Sequence, residues 1–220
     1  GYSGSWLAVE IGAISPASAD ILDGALSDMT NQEQGLLILL DTPGGVLDST
    51  RDMVKAIMNA DKPVAVWVGP NGGRAASAGA FIGVGAHFLL MAEGTNIGAA
   101  HPIQASGADI EESDAGTKLQ NDTIAFMESI ASARGRNKEL AASFVTESVS
   151  ISGKQAVDNN IADGLAGSPL GAIKLIQNRS YELSTGQKGL ISGGQITLRY
   201  YQLSLRQKLL EILCNPNLFY

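Results

Sequence analysis

The sequence predicts an α/β protein built on a largely parallel sheet covered by helices. Three observations carry that prediction. Strand-like and helix-like stretches alternate through the first half of the chain, the order expected of a parallel sheet with crossover helices. The aliphatic runs Leu36 to Leu40 and Pro63 to Val68 show no polar alternation, the mark of strands buried on both faces. Each of those runs ends in a glycine-rich break, Asp41-Thr42-Pro43-Gly44-Gly45 and Gly69-Pro70-Asn71-Gly72-Gly73, and in parallel sheets active sites gather where strands hand over to helices.

Trp6 to Gly12 reads as the first strand, and Pro16 opens a helix with Ile21, Leu22, Ala25, Leu26 and Met29 at helical spacing. Leu36 to Leu40 is the second strand; Met53, Val54, Ile57 and Met58 mark a helix running to about Asn59. After the Pro63 to Val68 strand, the stretch from Ser77 to about Ala86 reads as a third helix and His87 to Met91 as a short strand. Gln104 to Gly116 has no apolar period and reads as a mobile surface loop. Leu119, Ile124, Met127, Ile130 and Ala131 mark a long helix from Thr117 to about Gly135. Two short helices follow, at Leu140 to Phe144 and at Gly153 to Asn159 with Ser152 as cap. Tyr181 to Leu183 and Gln195 to Gln202 alternate like strands of a small antiparallel element, and Leu205, Leu209, Ile212 and Leu213 give a closing amphipathic helix. The chain is expected to be a single domain over residues 1–220, with a core of about 6–178 and a C-terminal β-hairpin and helix over about 180–220.

Composition narrows the chemistry. A formal charge of −7 with scattered Lys and Arg speaks against nucleic acid as a partner. The single cysteine, Cys214, excludes an intrachain disulfide and a cysteine-based zinc cluster, and two histidines are too few for most histidine metal sites, so neither metal nor cofactor is expected. No stretch approaches the roughly 20 unbroken apolar residues of a membrane helix. The chain opens on glycine and stops on Leu218-Phe219-Tyr220, so both ends look cut.

The stretch Arg74-Ala75-Ala76-Ser77-Ala78-Gly79-Ala80 sets a serine among residues too small to shield it, at a strand-to-helix junction. Ser77 there is either a nucleophile or a simple N-cap. Acyl transfer by serine also needs a base and donors for the oxyanion. Gly44 and Gly45 follow a buried strand and allow backbone N–H groups to approach a substrate carbonyl, although the same loop is also an ordinary turn. Lys118 falls in the first turn of the predicted long helix, where the helix dipole, and partial burial were it present, would favour a neutral amine; by composition alone a lysine on a helix is more often a solvated surface charge. His101 is the rival base, since an imidazole needs no special burial to be neutral at pH 7. His87, at the start of an apolar strand, reads as packed or half exposed.

Taken together, Leu40 to Gly45, Ala75-Ala76-Ser77-Ala78-Gly79, Met91 to Ala99 and Gly135-Arg136-Asn137 resemble, in order and spacing, the protease domain of the NfeD family. These are membrane-anchored partners of stomatin-like proteins, related to signal peptide peptidase A and more distantly to the ClpP and crotonase superfamily. The resemblance runs from about Val9 to the C-terminus. It implies a superhelix of strand-strand-helix units and a Ser-Lys dyad, with Ser77 as nucleophile and Lys118, 41 positions later, as base. It further implies oxyanion donors from the Gly44-Gly45 loop and Ala78, and cleavage of the C-terminal hydrophobic region of a stomatin-like protein. A homodimer and a membrane anchor following residue 220 are also implied, with the protease domain on the extracytoplasmic side after removal of a secretion signal. In the ClpP branch a histidine follows the serine by an interval that falls near His101, which keeps a Ser-His pair open as the alternative.

Two other function classes compete with this reading. Acyl-CoA chemistry, as in crotonase relatives, needs a positioned carboxylate and a nucleotide pocket, and neither has a clear candidate. A non-catalytic scaffold would bind the stomatin-like partner through the same glycine-rich cleft. An α/β-hydrolase is excluded because that fold places its histidine last in chain order, after the acid, and no histidine follows His101.

Overall fold

The computed structural model describes residues 4–102 and 114–219. Its first strand, β1 (Ser5–Ile11), leads through Ser15 into α1 (Pro16–Asp28). Ser15 caps that helix in a reciprocal box with Ser18, and Pro16 takes the first helical position, where its missing N–H costs nothing. There follow β2 (Glu33–Leu40), α2 (Leu47–Met58), β3 (Val64–Val68), β4 (Arg74–Ala76) and α3 (Ala78–Gly85). Next come β5 (Phe88–Met91), β6 (Asn96–Gly98), α4 (Asp114–Ala133), α5 (Lys138–Thr146), β7 (Ser150–Ser152) and α6 (Gly153–Asp158). The remainder comprises β8 (Gly164–Leu165), α7 (Pro169–Ile176), β9 (Ser180–Glu182), β10 (Lys188–Leu190), β11 (Thr197–Tyr200) and α8 (Leu205–Leu213).

Six strands form the main sheet in the order β11-β1-β2-β3-β5-β8, every neighbouring pair parallel. Side chains alternate between its faces. Leu36, Ile38 and Leu40 of β2 pack with Ile21, Met53, Ile57 and Ile82 from the helices on one side. Leu37 faces the other way, with Trp6, Trp67, Phe88 and Ile173 of α7. Both faces are therefore dry, which is why the central strands read as unbroken aliphatic runs. Each fully buried side chain of this size contributes about 1.5–3 kcal/mol.

Beyond the tips of β3 and β5 the chain builds a second, three-stranded sheet, β4-β6-β7, with β4 parallel to β6 and β7 antiparallel to it. The chain thus repeats a strand, a second strand and a helix, as β3-β4-α3 and β5-β6 leading towards α4, and this is the strand-strand-helix architecture expected. The three-residue strands of the second sheet carry too few residues to show a period in the sequence, and α7, at eight residues, is little more than two turns long.

Two expectations are corrected. Only Tyr181 and its neighbours form the small antiparallel element, pairing β9 with β10, whereas Thr197–Tyr200 joins the main sheet parallel to β1. Alternation along a strand reports half-burial and says nothing of partner direction. Of the loop read at Gln104 to Gly116, residues 104–113 lie outside the described residues, and Asp114 to Gly116 are already helical.

Candidate active site

Ser77 sits between β4 and α3 with φ 54° and ψ −118°, in a left-handed conformation that residues with a Cβ rarely adopt. Backbone bonds on both flanks hold it there. Its N–H donates to Gly98 O (2.8 Å), the Ala76 N–H to Thr42 O (3.2 Å), and the Thr42 N–H to Arg74 O (2.8 Å). Ser77 is the N-cap of α3, yet its hydroxyl makes no capping hydrogen bond. The side chain is half-buried and its oxygen has no partner among the described residues. The small residues after it are demanded by packing: a Cβ at Gly79 would lie 2.4 Å from Thr42 Cγ2.

Across from Ser77 the loop after β2 comes equally close. A Cβ at Gly44 (φ +116°) would stand 2.6 Å from Ser77 Cβ, and one at Gly45 would stand 1.8 Å from Ile14 O. Thr42, fully buried, organises this loop: its Oγ1 accepts from Gly44 N–H (3.1 Å) and donates to Gly44 O (3.3 Å). The Gly44 N–H, one of the expected oxyanion donors, is therefore engaged with Thr42. The Gly45 N–H has no acceptor among the described residues, and Ala78 opens α3, where the first amides lack intrahelical acceptors. Gly45 and Ala78 line one cleft together with Ser77.

Ser77 lies where two clefts meet. The first, about 480 Å³, is lined mainly by apolar groups, among them Val46, Leu47, Ala100, Pro102 and Leu119. The second, about 570 Å³, is lined by Arg74, Thr146, Glu147 and Ser148 along with Pro43 and Ala99. His101 lines both. Its Nδ1 lies 2.9 Å from Val145 O, and because a carbonyl only accepts, Nδ1 carries the proton and Nε2 is the unprotonated nitrogen of the neutral ring. A larger cleft of about 610 Å³ lies between α1 and α8, away from Ser77.

Lys118 is exposed, lines neither cleft and has no partner among the described residues. Because α4 is already helical at Asp114, Lys118 stands beyond its first turn, where the dipole argument has largely lapsed. Its helix nonetheless borders the site: Leu119 and Thr123 line the apolar cleft. Phe126 of α4 stacks on Phe81 of α3 (ring centroids 5.3 Å apart) and lies 4.4 Å beneath the Arg51 guanidinium of α2. His87 is not part of the site. Its Nδ1 accepts from Val64 N–H, and burial, reinforced by the charge of Arg134, pushes the imidazole down to about 3, so it is neutral at physiological pH.

Thr42 and Arg136 lie within the Leu40 to Gly45 and Gly135-Arg136-Asn137 motifs but carry no individual signal in the sequence, and only contacts reveal their roles. Arg136 is buried and donates to Val84 O, Ala86 O and Ile161 O, and it pairs with Asp163 at 3.2 Å. Arg134 donates to Gly85 O. Two guanidiniums thus take up three successive carbonyls at the C-terminal end of α3, the helix whose other end carries Ser77.

Residues 13–164 match the model of the NfeD1b N-terminal domain. The chain belongs to this family. Among similar proteins, the membrane-bound protease PH1510 of Pyrococcus horikoshii is 31% identical over 196 residues, covering 89% of this chain and 44% of that protein. The membrane protein NfeD1b of Bacillus subtilis is 32% identical over 124 residues, covering 56% of this chain and 26% of that protein. The chain thus spans less than half the length of either relative. A solved structure of the 1510-N membrane-bound stomatin-specific protease, a lysine-to-alanine variant in complex with a substrate peptide, superposes with a TM-score of 0.85 at 28% identity, covering 94% of this chain and 96% of that one. A serine-to-alanine variant of the same protease gives 0.83 at 28% identity, covering 93% of this chain and 100% of that one. ClpP1 of Listeria monocytogenes, at 18% identity and a TM-score of 0.59 over 76% of this chain and 94% of that one, shares the fold.

Proposed function

We propose that this chain is a serine endopeptidase domain that cleaves a hydrophobic segment of a membrane-associated, stomatin-like protein, with Ser77 as nucleophile and Lys118 as its base. One observation carries the reading: a strained, uncapped serine hydroxyl facing a cleft beside two backbone amides. A serine needed only as a cap would use its oxygen to cap. The lysine and serine replaced in the two 1510-N variants stand 41 positions apart, the interval between Ser77 and Lys118, and this supports the dyad.

In the mechanism that follows, Ser77 Oγ attacks the scissile carbonyl carbon, and its proton passes to the Lys118 amine. Lys118 is exposed beside Leu119 of the cleft wall, so the proposed proton transfer requires its four-carbon stem to turn from solvent towards the hydroxyl when a peptide is bound. The oxyanion is held by the N–H groups of Gly45 and Ala78, aided by the positive end of the α3 dipole. The ammonium then protonates the leaving amine, and water, deprotonated by the same base, hydrolyses the acyl-enzyme.

A Ser-His variant is the second reading, favoured by His101 lining both clefts with Nδ1 engaged by the Val145 carbonyl and Nε2 left to the site. Replacing Ser77 by alanine is expected to abolish cleavage of a peptide from a stomatin-like hydrophobic C-terminus while the circular dichroism spectrum is unchanged. Undiminished cleavage would sink the nucleophile and leave a scaffold that binds the same partner. Removal of the true base, compared between Lys118→Ala and His101→Ala, costs about 10²–10⁴-fold in kcat, and removal of the other far less. In its full-length form the domain is proposed to be membrane-anchored, on the extracytoplasmic side, and to act as a homodimer.

A further inference from the structure

Resting on Ser77 as the nucleophile, we infer that the enzyme cuts at a boundary between an aliphatic and a polar or charged residue, with Arg74 and Glu147 selecting the polar side. A peptide whose scissile bond lies at Ser77 must extend into the space on both sides of that hydroxyl, and the two sides differ in chemistry. One cleft offers Val46, Leu47 and Leu119. The other offers Arg74 and Glu147, brought together from β4 and the end of α5.

Both charged side chains are exposed, and neither has a hydrogen-bond or ion-pair partner among the described residues, although they line the same cleft. The nearby Asp41 carboxylate accepts from the Arg74 backbone N–H, which fixes the strand and leaves the guanidinium to the cleft. A substrate side chain of either charge, or a neutral polar one, finds a complementary group there. An aliphatic side chain strips water from both charges and returns nothing. In the apolar cleft the preference is reversed.

The test uses peptides of equal length with leucine on one side of the scissile bond and Lys, Glu, Ser or Leu on the other, in both orientations. In one orientation the leucine–polar peptides are cleaved by the wild type about threefold or more faster, in kcat/KM, than the leucine–leucine peptide. Arg74→Glu makes the cleft doubly acidic and shifts the Lys-over-Glu ratio up about threefold to fivefold, Glu147→Arg shifts it down equally, and both shifts shrink at about 0.5 M salt. Binding of the same peptides to Ser77→Ala, followed by fluorescence anisotropy, shows the same order of preference. Equal or faster cleavage of the leucine–leucine peptide in both orientations, with ratios unmoved by the charge reversals, overturns the inference while cleavage still depends on Ser77. If cleavage survives Ser77→Ala, the nucleophile assignment fails instead, and the binding order then decides the inference alone.

Discussion

At Ser77 the backbone is held in a region that costs a residue with a Cβ about 1–3 kcal/mol, and the cost is borne by specific neighbours. The bond from Ser77 N–H to Gly98 O pins one side, and the absence of a side chain at Gly44 clears the other. The conformation turns Oγ away from the helix it would otherwise cap and leaves it to the cleft. Gly44→Ala is therefore expected to damage the site twice. Its Cβ must move away from a contact of 2.6 Å with Ser77 Cβ, and alanine is strained at φ +116°. The expected outcome is a fall in kcat of at least about tenfold, with the thermal midpoint lowered by a strain of about 1–3 kcal/mol. Wild-type turnover in that variant would show that the close approach of the two residues has no role in placing the hydroxyl.

At the scale of the element, α3 is eight residues long, entirely buried, and fixed at both ends by different means. Its N-terminus is set by the strained serine. Its C-terminus is set by Arg134 and Arg136, which satisfy carbonyls that the helix itself leaves open. Burial and then the charge of Arg136 push Arg134 down to about 10, still cationic at neutral pH. Replacing Arg136 by Met leaves Asp163 without its closer ion-pair partner and strips hydrogen bonds from Val84, Ala86 and Ile161, so a loss of about 3–5 kcal/mol is expected in urea unfolding. Arg136→Lys keeps the charge but lacks the planar fork and falls between. Equal stability of all three proteins would mean that the helix end needs no clamp.

For the molecule as a whole, two groups on different elements make stability fall with acid. His87 has its folded pKa pushed down to about 3 by burial and by Arg134, below the ordinary value of 6.5, so its contribution is complete above about pH 6.5 and is lost progressively as pH falls towards 3. Burial would raise the Glu33 carboxyl, but hydrogen bonds from Arg199 and Thr30 outweigh it and hold the group at about 2, so its contribution is complete above about pH 4.5 and is lost towards pH 2. Arg199 belongs to β11, and through Glu33 and Asp28 it ties that edge strand to the end of α1 and the start of β2. The expected titration of unfolding free energy is flat above pH 6.5, declines below it, and steepens below 4.5. His87→Gln is expected to flatten the first decline, which amounts to several kcal/mol at full protonation; an unchanged slope in that variant would remove His87 from the account.

The sequence by itself determined most of the main elements and where their breaks fall, because aliphatic runs, helical spacing, caps and glycine breakers are local properties. It also placed Ser77 at a strand-to-helix junction and singled out the Gly44-Gly45 loop, Lys118 and His101. Only the tertiary structure decided that Thr42 engages the Gly44 N–H and leaves Gly45 with Ala78 at the cleft, that Thr197–Tyr200 pairs parallel with β1, and that Arg74 and Glu147 share a wall. Each of these depends on which atoms meet once the chain is folded: a hydrogen bond goes to the acceptor within reach, and periodicity along a segment carries no record of its partner.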